Sequence, residues 1–228
     1  MKLFVIEGID GAGKSTQMKR LGDHLVSKGY DCEYLHFPRT DAPFFGELIA
    51  RFLRGEFGNL NEVDPYLVAL LYAGDRKDAS DKIRSWMNEG KIILLDRYVY
   101  SNVAYQGAKV DDLYQRKRLI SWILSMEYNH FCIPKPDINI FLDVPLPFAQ
   151  SKLASARRGS DRDYLNGSYD IHEENLSFQE KVRDVYLEVA RSDPGMSVIS
   201  CSDKEGKILP RETIFQHILE ILKEKKLL

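Results

Sequence analysis

The run Gly8-Ile9-Asp10-Gly11-Ala12-Gly13-Lys14-Ser15-Thr16 sets glycine, lysine and a hydroxyl at the spacing G-x-x-x-x-G-K-[ST]. That spacing suits one kind of chemistry, the holding of a chain of phosphates. Glycines let successive backbone N–H groups turn inward around an anion with no Cβ in the way. A helix opening near Lys14 would aim its positive end at the same place. Lys14 then supplies a mobile cation for the outer phosphates and the Ser15 hydroxyl a ligand for Mg²⁺. Gly8, Asp10, Gly11, Ala12, Gly13, Lys14, Ser15 and Thr16 are therefore the expected set around a nucleotide's phosphates.

Further charged groups stand where apolar runs end: Phe37-Pro38-Arg39, Asp96-Arg97-Tyr98, and Asp143. Asp96 is placed to hold the waters of Mg²⁺ or to accept a proton from an attacking oxygen, with a strand-end cap as the alternative. Asp143 reads as structural. Arg39 and Arg97 suit bidentate capture of a phosphate, or else surface ion pairs. Two such arginines besides Lys14 point to a second phosphorylated ligand, not water, as acceptor. Tyr72 and Arg76 are four apart and share a helix face. A ring beside a guanidinium can stack a base and donate to its edge, although Tyr72 alone would serve equally as core. Arg157, Arg158 and Arg162 fall in a polar stretch, either as lid cations that close over a migrating phosphoryl group or as solvated charge. Asp161, Asp163, Asn166 and Gly167 approach a calcium loop, but the glycine comes one place late and His172 stands where Glu is needed, so calcium is excluded.

Elements must position these groups. Lys2 to Ile6 is apolar on both faces, as in a central parallel strand. Lys14 to Lys28 has a buried stripe of Met18, Leu21, Leu25 and Val26, with Gly29 as the stop. Strands are expected over 31–37, 92–95, 138–142 and 196–200, and helices over 43–54, 64–89, 111–127, 147–157, 176–191 and 210–226. From 158 to 175 the apolar period dissolves, which marks a long polar loop of the kind used as a lid. The total is a doubly wound α/β chain, a five-stranded parallel sheet flanked by helices, with ligands at the carboxyl ends of the strands.

Composition narrows the class. A chain of 228 residues with 44% hydrophobic content can bury one sizeable core, and we expect a single domain over 1–228 with a lid at about 157–175. The formal charge of −2 gives no reason to expect nucleic-acid or membrane partners. Cys32, Cys132 and Cys201 fit neither a disulfide framework nor a zinc spacing, so reduced thiols and a cytoplasmic setting are expected. The strand that starts at Lys2 leaves no room for a signal peptide.

The set Glu7 to Gln17, Phe37-Pro38-Arg39, Leu71-Tyr72-Ala73-Gly74-Asp75-Arg76 and the run from Asp96 to Gly107 resembles the thymidylate kinases, P-loop enzymes of the nucleoside monophosphate kinase type. The resemblance implies transfer of the ATP γ-phosphoryl group to dTMP with Mg²⁺, in a homodimer. It makes Asp10 the partner of the sugar 3′-hydroxyl and Arg39 and Arg97 the pair on the acceptor phosphate. Tyr72 becomes the ring on thymine and Arg76 the donor to its O4. Asn102 lies near the base edge, and Tyr105 packs on the sugar and disfavours a 2′-hydroxyl. Phe37, Ser101 and Gln106 complete the substrate set, and Asp96 with Ser15 the metal set. Lys14, Asp96 and Arg97 with a lid arginine make the catalytic set. Some members carry an arginine directly after the loop Asp; here that position is Gly11, so the charge must come from Arg157, Arg158 or Arg162. Glu174 resembles a carboxylate at the lid's end. A deoxynucleoside kinase needs a base for a hydroxyl acceptor and would waste Arg39 and Arg97. A non-catalytic nucleotide-binding protein would have no use for an intact Lys14, Ser15, Asp96 and Arg97. A GTP switch would need an Asn-Lys-x-Asp stretch to read guanine, and this sequence has none.

Overall fold

The computed structural model describes residues 2–60, 62–155, 165, 170–172 and 176–228. At its centre lies β1 (Lys2–Glu7), where Leu3, Phe4, Val5 and Ile6 are at most 1% exposed. A strand apolar on both faces has to be covered on both faces, and only neighbours within a parallel sheet with helices above and below do that. β1 pairs in parallel with β3 (Ile92–Asp96) on one side and β4 (Ile138–Asp143) on the other. β2 (Cys32–His36) and β5 (Met196–Ser200) are the more exposed edges, giving the order β2-β3-β1-β4-β5. Register sets Asp96 level with both Ile6 and His36, so the tips of β1, β2 and β3 meet. Glu7, Asp96 and Asp143, read as following their strands, are each the last residue of one.

α1 (Lys14–Ser27) begins at the phosphate loop and seats Met18, Leu21 and Leu25 on the core. Gly29, at φ 85°, ends it with its N–H on the Val26 carbonyl at 2.9 Å. α2 (Phe45–Leu53) and α3 (Pro65–Asn88) pack through a smaller apolar cluster of Ile49, Phe52, Leu53 and Val68. Asp64 caps α3 by accepting from the Tyr66 N–H at 2.8 Å, with Pro65 in the first turn.

No helix is expected between 97 and 111, yet α4 (Val99–Gly107) occupies that stretch. Every residue of α4 is buried, so no polar face is left to create an amphipathic period. The reading also ran one helix from 111 to 127. Instead α5 (Leu113–Ser125), capped by Asp112 on the Gln115 N–H, passes into a π-helical turn over Met126–His130. α6 (Leu146–Ser155), α7 (Leu176–Ser192) and α8 (Arg211–Glu224) complete the layers. Arg157, Arg158, Arg162 and Glu174, like the rejected calcium pattern at 161–167, lie outside the described residues. Among the described residues no helix is long and apolar enough to cross a membrane.

Candidate active site

A cavity of about 1530 Å³ opens at the carboxyl ends of β1, β2 and β3. Its floor is the phosphate loop. Gly11 and Gly13 take φ 78° and 80°, a region costly for any other residue, and Gly13 forms the start of α1. A Cβ on Gly11 would stand 2.4 Å from the Ala149 carbonyl oxygen of α6, which excludes any side chain there, arginine included. Lys14 is 7% exposed and donates to the Ile9 carbonyl at 3.0 Å. Burial and then the Arg97 charge bring its pKa down to about 8, against the opposing pull of Asp96, Asp10 and Glu7. Ser15 and Thr16 are exposed at the cavity wall.

The tip of β3 supplies the next layer. Arg97 takes φ 68°, a left-handed conformation that costs a non-glycine residue about 1–3 kcal/mol. Its Nη1 donates to the Gly8 carbonyl at 2.8 Å and to Ser101 Oγ at 3.1 Å. Nη2 donates to Asp10 Oδ1 at 2.5 Å and to the Tyr105 hydroxyl at 3.2 Å. Burial pushes the Asp10 carboxyl up, but Arg97 and Lys14 together hold it well below the usual carboxylate range. Asp96 is 2% exposed; its Oδ2 lies 3.6 Å from His36 Nδ1, and its buried Oδ1 has no partner among the described residues. Below them Glu7 is wholly buried. It accepts from the Tyr98 N–H, the Ser101 hydroxyl and the Tyr186 hydroxyl at 2.9, 2.6 and 3.0 Å, with burial raising its pKa despite these bonds.

α3 and α4 wall the far end. Arg39, after the cis Phe37–Pro38 peptide, donates through Nε to Asp75 Oδ1 at 2.8 Å and through Nη2 to Asp78 Oδ2 at 2.6 Å. Phe37 packs its ring 5.7 Å from Tyr98. Arg76, 1% exposed, is gripped through Nε and Nη2 by Glu127 at 2.5 and 2.7 Å. Asn102 Nδ2 donates to Glu127 Oε1 at 2.9 Å and to the Ala69 carbonyl at 3.0 Å. The Asn102 Oδ1 atom and both polar atoms of the Gln106 amide are buried without partners among the described residues. Arg39, Tyr72, Arg76, Asn102 and Gln106 all line the cavity.

A sequence model of the thymidylate kinases matches residues 6–209. The chain is 34% identical over 224 residues to a probable thymidylate kinase of Thermococcus kodakarensis, covering 96% of each chain. It is 32% identical over 189 residues to the thymidylate kinase of Mycobacterium tuberculosis, covering 82% of this chain and 85% of that one. The chain belongs to the thymidylate kinase family. In three dimensions it is similar to the thymidylate kinase of Candida albicans, with a TM-score of 0.73 at 28% identity over 99% of this chain and 92% of that one.

Against the residues expected for a thymidylate kinase, the cavity gathers Gly11 through Thr16, Asp10, Phe37, Arg39, Tyr72, Arg76, Asp96, Arg97, Ser101, Asn102, Tyr105 and Gln106. Asp143 takes the structural part expected of it, gripped by Arg183 at 2.5 and 2.9 Å. Other residues of the site carried no sequence signal. Glu127 falls on the π-helical turn, where no period marks it. Gln179 of α7, 2% exposed, donates to Asp10 Oδ2 and to the His172 carbonyl at 2.9 Å each. Phe148, Lys152 and the stretch from Ile208 to Arg211 form another part of the wall. Just before that stretch the chain closes a turn on Asp203, whose side chain accepts from the Glu205 and Lys207 N–H groups.

Proposed function

We propose that the protein transfers the γ-phosphoryl group of ATP to dTMP, giving dTDP and ADP, as a cytoplasmic enzyme of dTTP supply. One observation carries the reading. The phosphate loop opens into the same cavity as a compartment lined by arginines whose far end holds the unpartnered amide atoms of Asn102 and Gln106. A buried amide atom left without a partner costs about 1–3 kcal/mol, so a planar base with donors and acceptors on its edge suits that end. Family membership makes the base thymine. Tyr72 stacks on it, Arg76 donates to O4, and Asn102 and Gln106 take the remaining edge. Arg39 and Arg97 hold the acceptor phosphate, with Phe37 and Ser101 supporting them. Asp10 takes the 3′-hydroxyl, and Tyr105 packs against the sugar and excludes a 2′-hydroxyl. ATP lies along Gly8 to Thr16, its adenine against Phe148 and the wall from Ile208 to Arg211.

In the reaction a dTMP phosphate oxygen bonds to the γ-phosphorus as the bond to the β–γ bridging oxygen breaks, and ADP departs with that oxygen. The attacking oxygen is already ionised, so no strong base is needed and catalysis rests on position and charge. Lys14 spreads charge over the migrating group. Arg97 is fixed by its bonds to Gly8, Ser101, Asp10 and Tyr105, so its charge needs no reorientation during the step. Asp96 lines the cavity with an unpartnered buried oxygen, and Ser15 stands at the same wall, a pair that fits a hydrated Mg²⁺. Among the described residues no group of three or more His, Cys, Asp or Glu could cage a metal, which leaves phosphate oxygens and water as its other ligands. Held there by Ser15 and the waters near Asp96, Mg²⁺ would supply positive charge against the phosphates. Arg157, Arg158 and Arg162 are the proposed lid cations, and closure of the lid excludes water.

A homodimer is proposed through α3 and α5, which expose Leu67, Leu70, Leu113 and Tyr114. Light scattering is expected to give twice 26.3 kDa, and the mass of one chain at micromolar concentration would contradict it. For the activity, ³¹P NMR of a mixture of protein, ATP, Mg²⁺ and dTMP is expected to show dTDP and ADP growing in equal amounts. ADP accompanied by inorganic phosphate alone would refute the transfer.

A further inference from the structure

Leu119, Ile123 and Glu127 follow one another at four-residue spacing on the face that α5 and its π-helical turn bury. Position 127 is thus a core position, yet it holds a carboxylate that is wholly inaccessible. A buried ion pair is seldom more stabilising than apolar residues of the same volume, so stability does not account for it. Its bonds give another reason. Glu127 accepts from Nε and Nη2 of Arg76 at 2.5 and 2.7 Å and from Nδ2 of Asn102 at 2.9 Å. The turn itself is fixed, since the Glu127 carbonyl accepts from the Ile133 N–H at 3.1 Å. Arg76 and Asn102 line the cavity and Glu127 does not, so whatever it does to a ligand it does through them.

What Glu127 leaves to each of them is one-sided. Nη1 is the one nitrogen of Arg76 without a partner among the described residues, and it is not sealed from the cavity's solvent. A guanidinium only donates. Asn102 Nδ2 has both hydrogens engaged, one by Glu127 and one by the Ala69 carbonyl at 3.0 Å. Both partners are acceptors, which fixes the amide with its nitrogen toward them. The one polar atom left on Asn102 is then the acceptor Oδ1. We propose that Glu127 is a positioning residue that sets the base preference of the acceptor compartment, by fixing Arg76 as a donor beside Asn102 as an acceptor. The proposal rests on the dTMP reading above and adds to it the residue that makes the choice. A 4-oxo pyrimidine carries an acceptor at C4 beside a donor at N3, and a 4-amino pyrimidine carries the reverse. The fixed pair matches the first pattern and opposes the second at both positions. The Gln106 amide has no partner among the described residues, so nothing fixes which end it offers. The polarity of the edge therefore comes from the carboxylate behind it. An amide at 127 would turn a donor toward one of the three N–H groups, and Arg76 or Asn102 would have to move.

The test compares two acceptors that differ only along this edge, dTMP and 5-methyl-2′-deoxycytidine 5′-monophosphate, in wild-type protein and in Glu127→Gln. Wild-type kcat/KM is expected to favour dTMP by about a thousandfold or more. Glu127→Gln keeps the volume and removes the all-acceptor face. Its kcat/KM for dTMP is expected to fall about tenfold to a hundredfold through KM, with kcat within about threefold and KM for ATP unchanged. Its preference for dTMP over the methylcytosine nucleotide is expected to narrow by about tenfold or more. A merely structural part would lower both acceptors alike. Losses in equal proportion for the two, or an unchanged KM for dTMP, overturn the assignment. Should thermal melts show that Glu127→Gln does not fold, Glu127→Asp keeps the charge and draws the carboxylate back by one methylene. KM for dTMP is then expected to rise about threefold to tenfold while KM for ATP holds, and an unchanged KM for dTMP overturns the proposal. Wild-type protein that phosphorylates dTMP while Glu127→Gln keeps the full preference sinks the Glu127 assignment alone. Wild-type protein inert towards dTMP sinks the acceptor reading together with it.

Discussion

Arg97 holds its backbone in a left-handed conformation that sets its guanidinium on the phosphate loop, at the Gly8 carbonyl and the Asp10 carboxylate. Conformational cost at a buried, fully bonded residue fits a group whose position matters more than its stability. Arg97→Ala is expected to lower kcat about a hundredfold to a thousandfold with the circular dichroism spectrum kept, and a loss under fivefold would contradict its place. Lys14 adds a pH dependence. Its depressed pKa of about 8 means the free protein loses the ammonium charge as pH rises through that value. Since kcat/KM reports the free enzyme, kcat/KM for ATP is expected to decline tenfold per pH unit above about 8. In Lys14→Arg that alkaline limb should vanish; its persistence would assign the limb to another group. Both residues were legible in the sequence because their chemistry depends on position in a short motif. Glu127 and Gln179 were not, because a carboxylate or an amide acquires its meaning here only when distant elements fold against it.

At the scale of elements, α3 reaches the site only because it can lie close to α2. A Cβ on Gly74 would stand 2.2 Å from the Phe45 ring, within the same turn of helix that carries Tyr72 and Arg76. Gly74→Ala is thus expected to destabilise the fold by about 1–3 kcal/mol and to raise KM for dTMP more than KM for ATP. Urea denaturation and steady-state kinetics measure both, and an unchanged KM ratio would contradict this positioning role. The central strands β1, β3 and β4 were readable as nearly continuous apolar runs, the pattern that parallel strands covered on both faces require. α4 was not, for the converse reason. Its Val99, Tyr100, Val103 and Tyr105 are buried all round with Ser101, Asn102 and Gln106, so a helix that carries much of the acceptor compartment has no exposed face to announce it. The π-helical turn after α5 likewise breaks the period where Glu127 enters the site.

In the proposed reading the whole molecule brings a donor cradle and an acceptor compartment together at the carboxyl ends of a parallel sheet, and it accepts buried charge to do so. Lys109 illustrates the cost. Its Nζ is buried without a hydrogen-bond partner among the described residues, 4.8 Å above the Phe52 ring, and burial brings its pKa down to about 7 from the ordinary 10.5. Between pH 7 and 10.5 the unfolded chain binds the proton and the folded one does not, so stability rises with pH through that window. Lys109→Met is expected to raise stability at pH 7 by roughly 1–3 kcal/mol and to flatten that rise, as thermal melts across the window would show. The architecture of the cavity followed from the phosphate loop and the strand ends, whereas the choice of acceptor rests on groups contributed by α2, α3, α4 and the turn after α5. The most direct measurement is therefore an acceptor screen with ATP and Mg²⁺, in which each nucleoside monophosphate and free thymidine competes on equal terms. The account predicts dTMP as the preferred acceptor, with kcat/KM at least a hundredfold above that for thymidine; thymidine equal to or better than dTMP, or no acceptor at all, would contradict it.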